Sequence, residues 1–286
     1  MLDHPGISMT AVLLPPPATP VQLFPRGEAI RQTILNRNPE LQLPIQFHFQ
    51  EEIPSHAGLG SGTQLSLAML EALLKLHQQP AALVHLAEKC GRGDRSAIGL
   101  NGYAQGGFLV DAGHAANGAM GEIACRMDFP EQWRIVVISP HDVTGLHGPE
   151  EFAAFRSLPA MPEEISGRLC RLTLTEMLPA LNRQQLDPFC RALFEYGQLI
   201  GEFFSHTQGG VFASPAMRNL LNQFPDVAGT GMAQSSWGPT IAMFARNDAH
   251  AVSLQQQILD LCPDLQTAIR FPRNMGRMLT TSPPHN

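Results

Sequence analysis

Apolar residues recur along the chain at two spacings, and these divide it into predicted strands and helices. Ile45, Phe47 and Phe49 alternate with polar residues, so residues 45–49 are predicted to form a half-buried strand. Residues 65–77 carry apolar side chains every three or four positions, which predicts an amphipathic helix. Further strands are predicted at 7–14, within 106–114, and at 123–129, 134–139, 240–246 and 268–271, and further helices at 26–37, 80–89, 150–155, 162–176, 187–204, 215–224 and 248–261.

The order of these elements changes near residues 145–160. Strands and helices are mixed before that region, whereas helices predominate after it. A chain of 286 residues is long enough for two domains. We therefore predict an α+β protein with one domain over residues 1–155 and a second over residues 156–286.

The overall composition argues against several classes of protein. A formal net charge of -6 disfavours a general nucleic-acid surface, which needs clustered basic residues. No apolar run approaches the ~20 residues that span a bilayer, so we predict a cytoplasmic protein without a membrane partner. The five cysteines form no Cys-x-x-Cys pair, which disfavours structural zinc. A homodimer remains open as an alternative to a monomer.

The most informative stretch is the glycine-rich segment between the strand at 45–49 and the helix at 65–77. Its backbone can turn sharply and bring N–H groups close to an anion, and the following helix adds its positive N-terminal end. The segment lacks the lysine of the Walker phosphate loop. A helix-capping turn that binds nothing is the alternative. The predicted phosphate- or diphosphate-binding residues are Gly58, Leu59, Gly60, Ser61, Gly62 and Thr63.

Charged residues near two later glycine-rich stretches are candidates for catalysis or substrate binding. Arg92 and Arg95 lie in a loop over residues 91–99, where guanidinium groups suit phosphate or carboxylate, although a solvated loop is the alternative. Asp111 ends an apolar strand, where a carboxylate can reach a metal ion or a developing cation. His114 follows it, and a histidine at a strand end is more often merely hydrogen-bonded than catalytic.

A second loop rich in glycine and serine spans residues 229–239. Its N–H groups and the hydroxyls of Ser235 and Ser236 are predicted to close over an anion held by the first loop. Trp237 either forms a wall for an aromatic substrate or packs under the loop. This arrangement would place ligand-binding groups from both halves of the chain around one anion.

Taken together, these motifs resemble those of the β-ribofuranosylaminobenzene 5'-phosphate synthase family, an offshoot of the GHMP kinase superfamily. The resemblance rests on Pro54 to Gln64, Gly91-Arg92-Gly93, Gly106 to Asp111, and Gln234 to Pro239. It implies a GHMP-kinase-like fold, with an N-terminal domain like ribosomal protein S5 and a ferredoxin-like C-terminal domain. The substrate-binding residues that it implies are Arg92, Gln64, Gln234 and Trp237.

The reaction implied by this resemblance joins phosphoribosyl diphosphate to 4-aminobenzoate, or a close analogue, and releases CO₂ and diphosphate. The product begins the methanopterin branch of one-carbon cofactors. Mg²⁺ is expected to hold the diphosphate together with the first glycine loop. Asp111 is expected to stabilise positive charge on the ribose, and Arg92 or Arg95 to clamp the ribose phosphate or the benzoate.

One departure from the related kinases favours glycosyl transfer over phosphoryl transfer. Those kinases usually carry Ser-Gly-x-Asp ahead of a Gly-Gly pair, whereas this chain has Ser96-Ala97-Ile98-Gly99. A carboxylate that serves phosphoryl transfer is therefore missing at position 99. The alternatives are an ATP-dependent small-molecule kinase and a non-catalytic ligand-binding relative. A second departure is that the family usually begins with an Arg-x-His-x-Gly-like segment, and this chain starts after it.

Overall fold

A computed structural model describes residues 1–91, 96–113, 121–141, 156–235 and 238–281. Across these residues helices and strands are mixed, as the α+β prediction requires. The strands form antiparallel pairs throughout, in two two-stranded sheets and one four-stranded sheet. No helix in this part of the chain combines the length and the apolar character of a membrane span.

The first sheet pairs β1 with β2, and the second pairs β3 with β4. In the third sheet the strand order is β6-β7-β5-β8. The strand bounds are β1 Ser8–Leu13, β2 Ile45–Glu51, β3 Phe108–Asp111, β4 Ile123–Met127, β5 Arg134–Pro140, β6 Ala233–Gln234, β7 Ile241–Ala245 and β8 Leu265–Arg270.

The helices agree with the sequence-based predictions in most places. The predicted helix at 248–261 is confirmed, whereas the helix predicted from residue 65 begins earlier and a helix at 98–105 was not predicted. The helix bounds are α1 Pro25–Arg37, α2 Ser61–Leu76, α3 Leu83–Cys90, α4 Ile98–Gln105, α5 Glu163–Arg171, α6 Leu178–Asn182, α7 Leu186–Gln208, α8 Pro215–Gln223, α9 Val227–Thr230 and α10 Asp248–Leu261. A π-helical segment, Leu172–Met177, joins α5 to α6, and a 3₁₀ turn, Pro39–Leu41, follows α1.

Helix α2 is the centre of the N-terminal core. Its apolar positions are almost all buried, and Leu67, Leu70 and Leu74 are fully buried in a core that α1, α3, α4 and the first sheet complete. A helix that is apolar around most of its circumference is stable only when neighbours cover it on several sides. The first turn of α2, which follows the glycine loop, is therefore continuous with a helix buried in this core.

Strand β5 is the centre of the C-terminal sheet. Val136 and Ile138 face one core and Ile135 and Val137 face another, so both sides of the strand are buried. This explains its continuous apolar sequence. Along its edges, Val136 pairs with residue 243 of β7 and residue 269 of β8. The C-terminal sheet thus includes β5, which precedes the predicted domain boundary in the sequence. The boundary itself, at residue 155, lies outside the described residues and stays a prediction.

The segment after β8 returns to the N-terminal half. The N–H group of Gly107 donates to the carbonyl of Arg273 at 2.8 Å, and the N–H group of Arg277 donates to the carbonyl of Tyr103 at 2.7 Å. The Arg277 guanidinium also forms an ion pair of 2.6 Å with Glu71, a buried residue of α2. The two halves are therefore joined by the chain end as well as by β5.

Candidate functional site

The glycine-rich segment forms a tight loop that ends in α2. Gly58 and Gly60 have φ angles of +78° and +70°, in the left-handed region that glycine tolerates best. The N–H group of Gln64 donates to the carbonyl of Gly60 at 3.1 Å, so the helix begins directly after the last turn of the loop. Free N–H groups at such a helix start attract anions. The geometry supports the predicted anion-binding role, which stays a prediction.

The two predicted glycine-rich loops are in contact. The hydroxyl of Ser235 donates to the carbonyl of Gly58 at 2.5 Å. A Cβ atom added to Gly238 would lie 2.5 Å from the Cα atom of Gly58 and 2.7 Å from the carbonyl oxygen of Ala57. The second loop is held in shape by N–H groups, since Ser235 donates to the carbonyl of Thr240 and Gly238 to that of Ser235. Only glycine permits this close approach between the two halves of the chain.

Gly99, at the position of the kinase carboxylate, packs on the first turn of α2. A Cβ atom added there would lie 3.1 Å from the Cγ2 atom of Thr63. The carboxamide of Gln64 donates to the Gly99 carbonyl at 2.7 Å, which ties α4 to α2. Among the described residues no group of three or more His, Cys, Asp or Glu side chains could hold a metal ion. A single carboxylate does lie near this stretch, since Asp111 accepts hydrogen bonds from the Ser96 hydroxyl and the Ala97 N–H group.

Asp111 fixes the start of α4. One carboxylate oxygen accepts hydrogen bonds from the Ser96 hydroxyl at 2.7 Å and the Ala97 N–H group at 2.8 Å, and the other accepts from the Gly113 N–H group at 2.9 Å. The charge of Asp111 also contributes, after burial and Cys170, to raising the pKa of Tyr196 in α7. Asp111 thus stabilises the start of α4, and its predicted catalytic role stays a prediction.

Gln234, which directly precedes Ser235, links the second loop to neighbouring segments by hydrogen bonds. Its carboxamide donates to the Gln208 side chain at 2.9 Å and accepts from the N–H group of Ala213 at 2.7 Å. Gln208 in turn donates to the carbonyl of Val211 at 2.8 Å. These contacts connect the Ser235 loop to the end of α7. Gln64 and Gln234 therefore both hold structural elements together, and their predicted contact with substrate is untested.

The structure adds a residue that sequence analysis missed. Arg26, in the first turn of α1, donates to the Ser55 hydroxyl at 2.6 Å and to the Ser61 hydroxyl at 2.8 Å. Ser55 precedes Gly58 and Ser61 follows Gly60, so the guanidinium contacts the loop on both sides of these two glycines. No local pattern near residue 26 signals this contact, because the two serines are 29 and 35 residues away.

An apolar cavity of about 240 Å³ adjoins the contact between the loops. Leu59 and Ser235 form its side toward the loops, and three phenylalanines, at 108, 129 and 244, contribute aromatic walls. The first residues of the chain and the inner face of β5 and β7 complete the lining. An engineered apolar cavity of about 150 Å³ binds benzene, so this cavity is large enough for a substituted benzene ring.

Five of the predicted site residues lie outside the described part of the chain. These are Arg92, Arg95, His114, Ser236 and Trp237. The predicted loop at 229–239 is nevertheless defined on both sides of its gap by Ser235 and Gly238. The predicted roles of these five residues are therefore neither supported nor contradicted by the structure.

Comparison with known proteins identifies the family. The profile of the GHMP kinases N terminal domain matches residues 28–104, and that of the GHMP kinases C terminal domain matches residues 177–264. A β-ribofuranosylphenol 5'-phosphate synthase from Archaeoglobus fulgidus is 31% identical over 238 residues, which cover 78% of this chain and 72% of the relative. The chain belongs to the β-ribofuranosylphenol 5'-phosphate synthase family. A member from Methanothermobacter thermautotrophicus is 29% identical over 273 residues, covering 88% of this chain and 78% of its own.

The family assignment made from the motifs is confirmed, and with it an enzyme of the GHMP kinase superfamily. The names of these relatives specify a phenol product, whereas the sequence-based assignment used the aminobenzene name of the family. Solved structures confirm the predicted fold class. Homoserine kinase from Cytophaga hutchinsonii has a TM-score of 0.64 at 16% identity, covering 96% of this chain and 89% of its own. Mevalonate pyrophosphate decarboxylase from Streptococcus pyogenes has a TM-score of 0.62 at 11% identity, and the match covers 94% of this chain and 85% of the decarboxylase.

Proposed function

We propose that this enzyme joins phosphoribosyl diphosphate to a para-substituted benzoate and releases CO₂ and diphosphate. The ribosylated arene would then enter tetrahydromethanopterin biosynthesis, as the family resemblance implies. The observation that carries the proposal is the contact between Gly58 and Gly238, which brings the two predicted anion-binding loops together. Gly99, where the related kinases are expected to carry a carboxylate, packs on Thr63 in the first turn of α2. Two such loops suit a diphosphate leaving group, and residue 99 itself offers no carboxylate for phosphoryl transfer.

The bond changes in the proposed reaction balance without an added oxidant or reductant. The bond from ribose C1 to diphosphate breaks, and its electron pair leaves with the diphosphate. The ring carbon that bears the carboxylate then bonds to C1. The bond from that carbon to CO₂ breaks, and its electron pair restores the aromatic ring. The loops around Gly58 and Ser235 would stabilise the departing charge, while Asp111 would face the positive charge that develops on the ribose.

We propose 4-hydroxybenzoate and 4-aminobenzoate as the two candidate acceptors. A phenol product, as in the names of the relatives, corresponds to 4-hydroxybenzoate in a decarboxylating reaction. Either para substituent donates electrons to the ring carbon that must attack. We place the ring in the apolar cavity beside Leu59, because its walls are aromatic and it adjoins the loops.

We propose that Mg²⁺ enters with the diphosphate. Magnesium in proteins is commonly held by one or two carboxylates together with substrate phosphates, so a cage of several acidic residues is not required. Asp111, whose carboxylate lies at the end of β3, would hold the ion together with the substrate phosphates. The ion would neutralise charge on the leaving diphosphate.

The test is incubation of the purified protein with phosphoribosyl diphosphate, Mg²⁺ and each benzoate labelled at the carboxyl carbon. Released labelled CO₂ and a ribosylated arene in the mass spectrum are the expected result. A parallel reaction with ATP and small alcohols, monitored for ADP, tests the kinase alternative. ADP formation without CO₂ release would replace the proposed reaction with phosphoryl transfer, and binding of phosphoribosyl diphosphate without any product would indicate a non-catalytic relative.

A further inference from the structure

One wall of the apolar cavity changes in chemistry along its length. Alternate residues of a strand point to the same face, and Phe244, Ala242 and Thr240, in and just before β7, all line the cavity. Ser139, at the corresponding position of β5, has its hydroxyl oxygen 2.9 Å from that of Thr240. The wall therefore changes from an aromatic ring through a methyl group to a pair of hydroxyls.

The hydroxyl end of this wall adjoins the two glycine-rich loops. The carbonyl of Thr240 accepts from the N–H group of Ser235 at 2.9 Å, and the Ser235 hydroxyl donates to the carbonyl of Gly58. At the other end, the ring of Phe244 lies 5.9 Å from that of Phe129, measured between centroids. A benzene ring in the cavity would thus have hydroxyls on its loop side and aromatic side chains on the opposite side.

The Thr240 hydroxyl has a proton that it can donate to a ligand. Each hydroxyl carries one proton, so two hydroxyls that share one hydrogen bond use only one of their two protons. Neither Ser139 nor Thr240 has a second side-chain hydrogen bond within the described residues. When Ser139 donates to Thr240, the remaining proton is that of Thr240, which lines the cavity and is 2% exposed. A buried donor without an acceptor is unfavourable, so an acceptor on a bound ligand would be stabilised there.

We propose that the Thr240 hydroxyl donates a hydrogen bond to the carboxylate of the benzoate substrate and that Ser139 holds the hydroxyl in this orientation. The inference rests on the proposed function, in which the ring carbon that bears the carboxylate bonds to ribose C1. Because the diphosphate on C1 is held by the loops, the carboxylate must lie at the loop end of the cavity. The contact with Thr240 would turn the attacking carbon toward the ribose and the rest of the ring toward Phe244.

The proposal predicts a selective effect of Thr240→Val, which replaces the hydroxyl by a methyl group and nearly keeps the shape of the side chain. Hydrogen bonds to charged groups are strong, so the affinity for 4-hydroxybenzoate, measured by calorimetry with Mg²⁺ and inorganic diphosphate present, should fall at least about tenfold. The affinity for toluene, which has no hydrogen-bond acceptor, should not fall. The KM for the benzoate should rise by a similar factor while the KM for phosphoribosyl diphosphate stays unchanged.

Two further variants separate the hydroxyl from the packing around it. Thr240→Ser keeps the hydroxyl and loses the methyl group, so it should retain most of the affinity for 4-hydroxybenzoate. Ser139→Ala leaves the Thr240 hydroxyl without its neighbour, so it should cause a smaller loss than Thr240→Val. Thr173→Val is the matched control, because it removes another buried threonine hydroxyl from the same half of the chain, and it should leave both arene affinities unchanged. Thermal unfolding of each variant verifies that it is folded.

Each outcome bears on the proposal. Unchanged affinity for 4-hydroxybenzoate in Thr240→Val would overturn the inference about Thr240 and leave the proposed reaction standing. An equal loss of affinity for 4-hydroxybenzoate and toluene, or a failure of Thr240→Ser to retain binding, would also overturn it, because those results indicate a packing role. If the unaltered protein binds 4-hydroxybenzoate through Thr240 but releases no CO₂ with phosphoribosyl diphosphate, the proposed reaction is overturned and the contact stands.

Discussion

Arg277→Met is expected to destabilise the protein substantially, because it leaves a carboxylate buried without its cation. The side chain of Glu71 is 2% exposed, and Arg277 donates to its two oxygens at 2.6 and 2.9 Å. The Tyr103 hydroxyl adds a third hydrogen bond at 2.6 Å. Removal of one partner from a fully buried ion pair costs about 3–5 kcal/mol. Because the Arg277 side chain is itself 38% exposed, water reaches the pair, and we expect Arg277→Met to lower the unfolding free energy by about 2–4 kcal/mol.

The pH dependence of this loss tests its cause. Burial raises the pKa of Glu71, but the hydrogen bonds from Arg277 and Tyr103 outweigh it and hold the pKa below the ordinary value of 4.5. The carboxylate therefore contributes stability above about pH 4.5, and this contribution is lost as the pH falls through the pKa of the folded state. Without Arg277, burial dominates and the pKa rises. The difference in unfolding free energy between the two proteins should consequently shrink from pH 7 toward pH 4.

Urea unfolding followed by circular dichroism at several pH values measures this difference. Glu71→Gln combined with Arg277→Met should be less damaging than Arg277→Met alone, because the amide is neutral and can still accept from Tyr103. Arg246→Met, which breaks an exposed pair with Asp187, is the control and should cost less than about 1 kcal/mol. A loss below 1 kcal/mol for Arg277→Met, or one that does not change with pH, would refute the reasoning.

Three further substitutions test the site. Gly238→Ala should force the two loops apart, which should lower the unfolding free energy by about 1–3 kcal/mol and abolish most of the turnover. Gly167→Ala, at an open position of α5, is the control and should change neither quantity. Equal effects of the two substitutions would contradict the role of the loop contact. Ala242→Leu should fill part of the apolar cavity and raise the KM for the benzoate about 10–200-fold, while the KM for phosphoribosyl diphosphate stays unchanged. Steady-state kinetics with each substrate varied in turn measures both KM values. Gly99→Asp should give a KM for phosphoribosyl diphosphate at least about fivefold higher than Gly99→Asn gives, because the two side chains differ chiefly in charge and only the carboxylate repels a bound anion. Indistinguishable KM values would show that no anion binds near residue 99.

The parts of the fold that depend on local sequence were predictable. Helix α10 has regular apolar spacing and a side-chain cap, since Asn247 accepts from the N–H group of His250, and its bounds agree with the prediction. The glycine loop could be recognised from its composition because positive φ angles and close backbone approach require glycine.

The missed features depend on contacts between distant residues. Helix α4 contains two glycines, which weaken helix propensity, and it is stabilised by burial of Leu100 and Tyr103 and by the distant carboxylate of Asp111 at its start. Arg26 reaches the glycine loop only because α1 packs beside α2. No pattern in a single sequence reports which side chains the tertiary fold will bring together.

The central position of β5 has a consequence for synthesis of the protein on the ribosome. Val136 emerges more than a hundred residues before Met243, its partner on one edge, and Ile269, its partner on the other. During this interval an apolar strand with two open edges is exposed to other nascent chains, which favours aggregation. The sheet can close only when residues 265–270 have left the exit tunnel, so chaperone binding to the growing chain should persist until that segment has emerged.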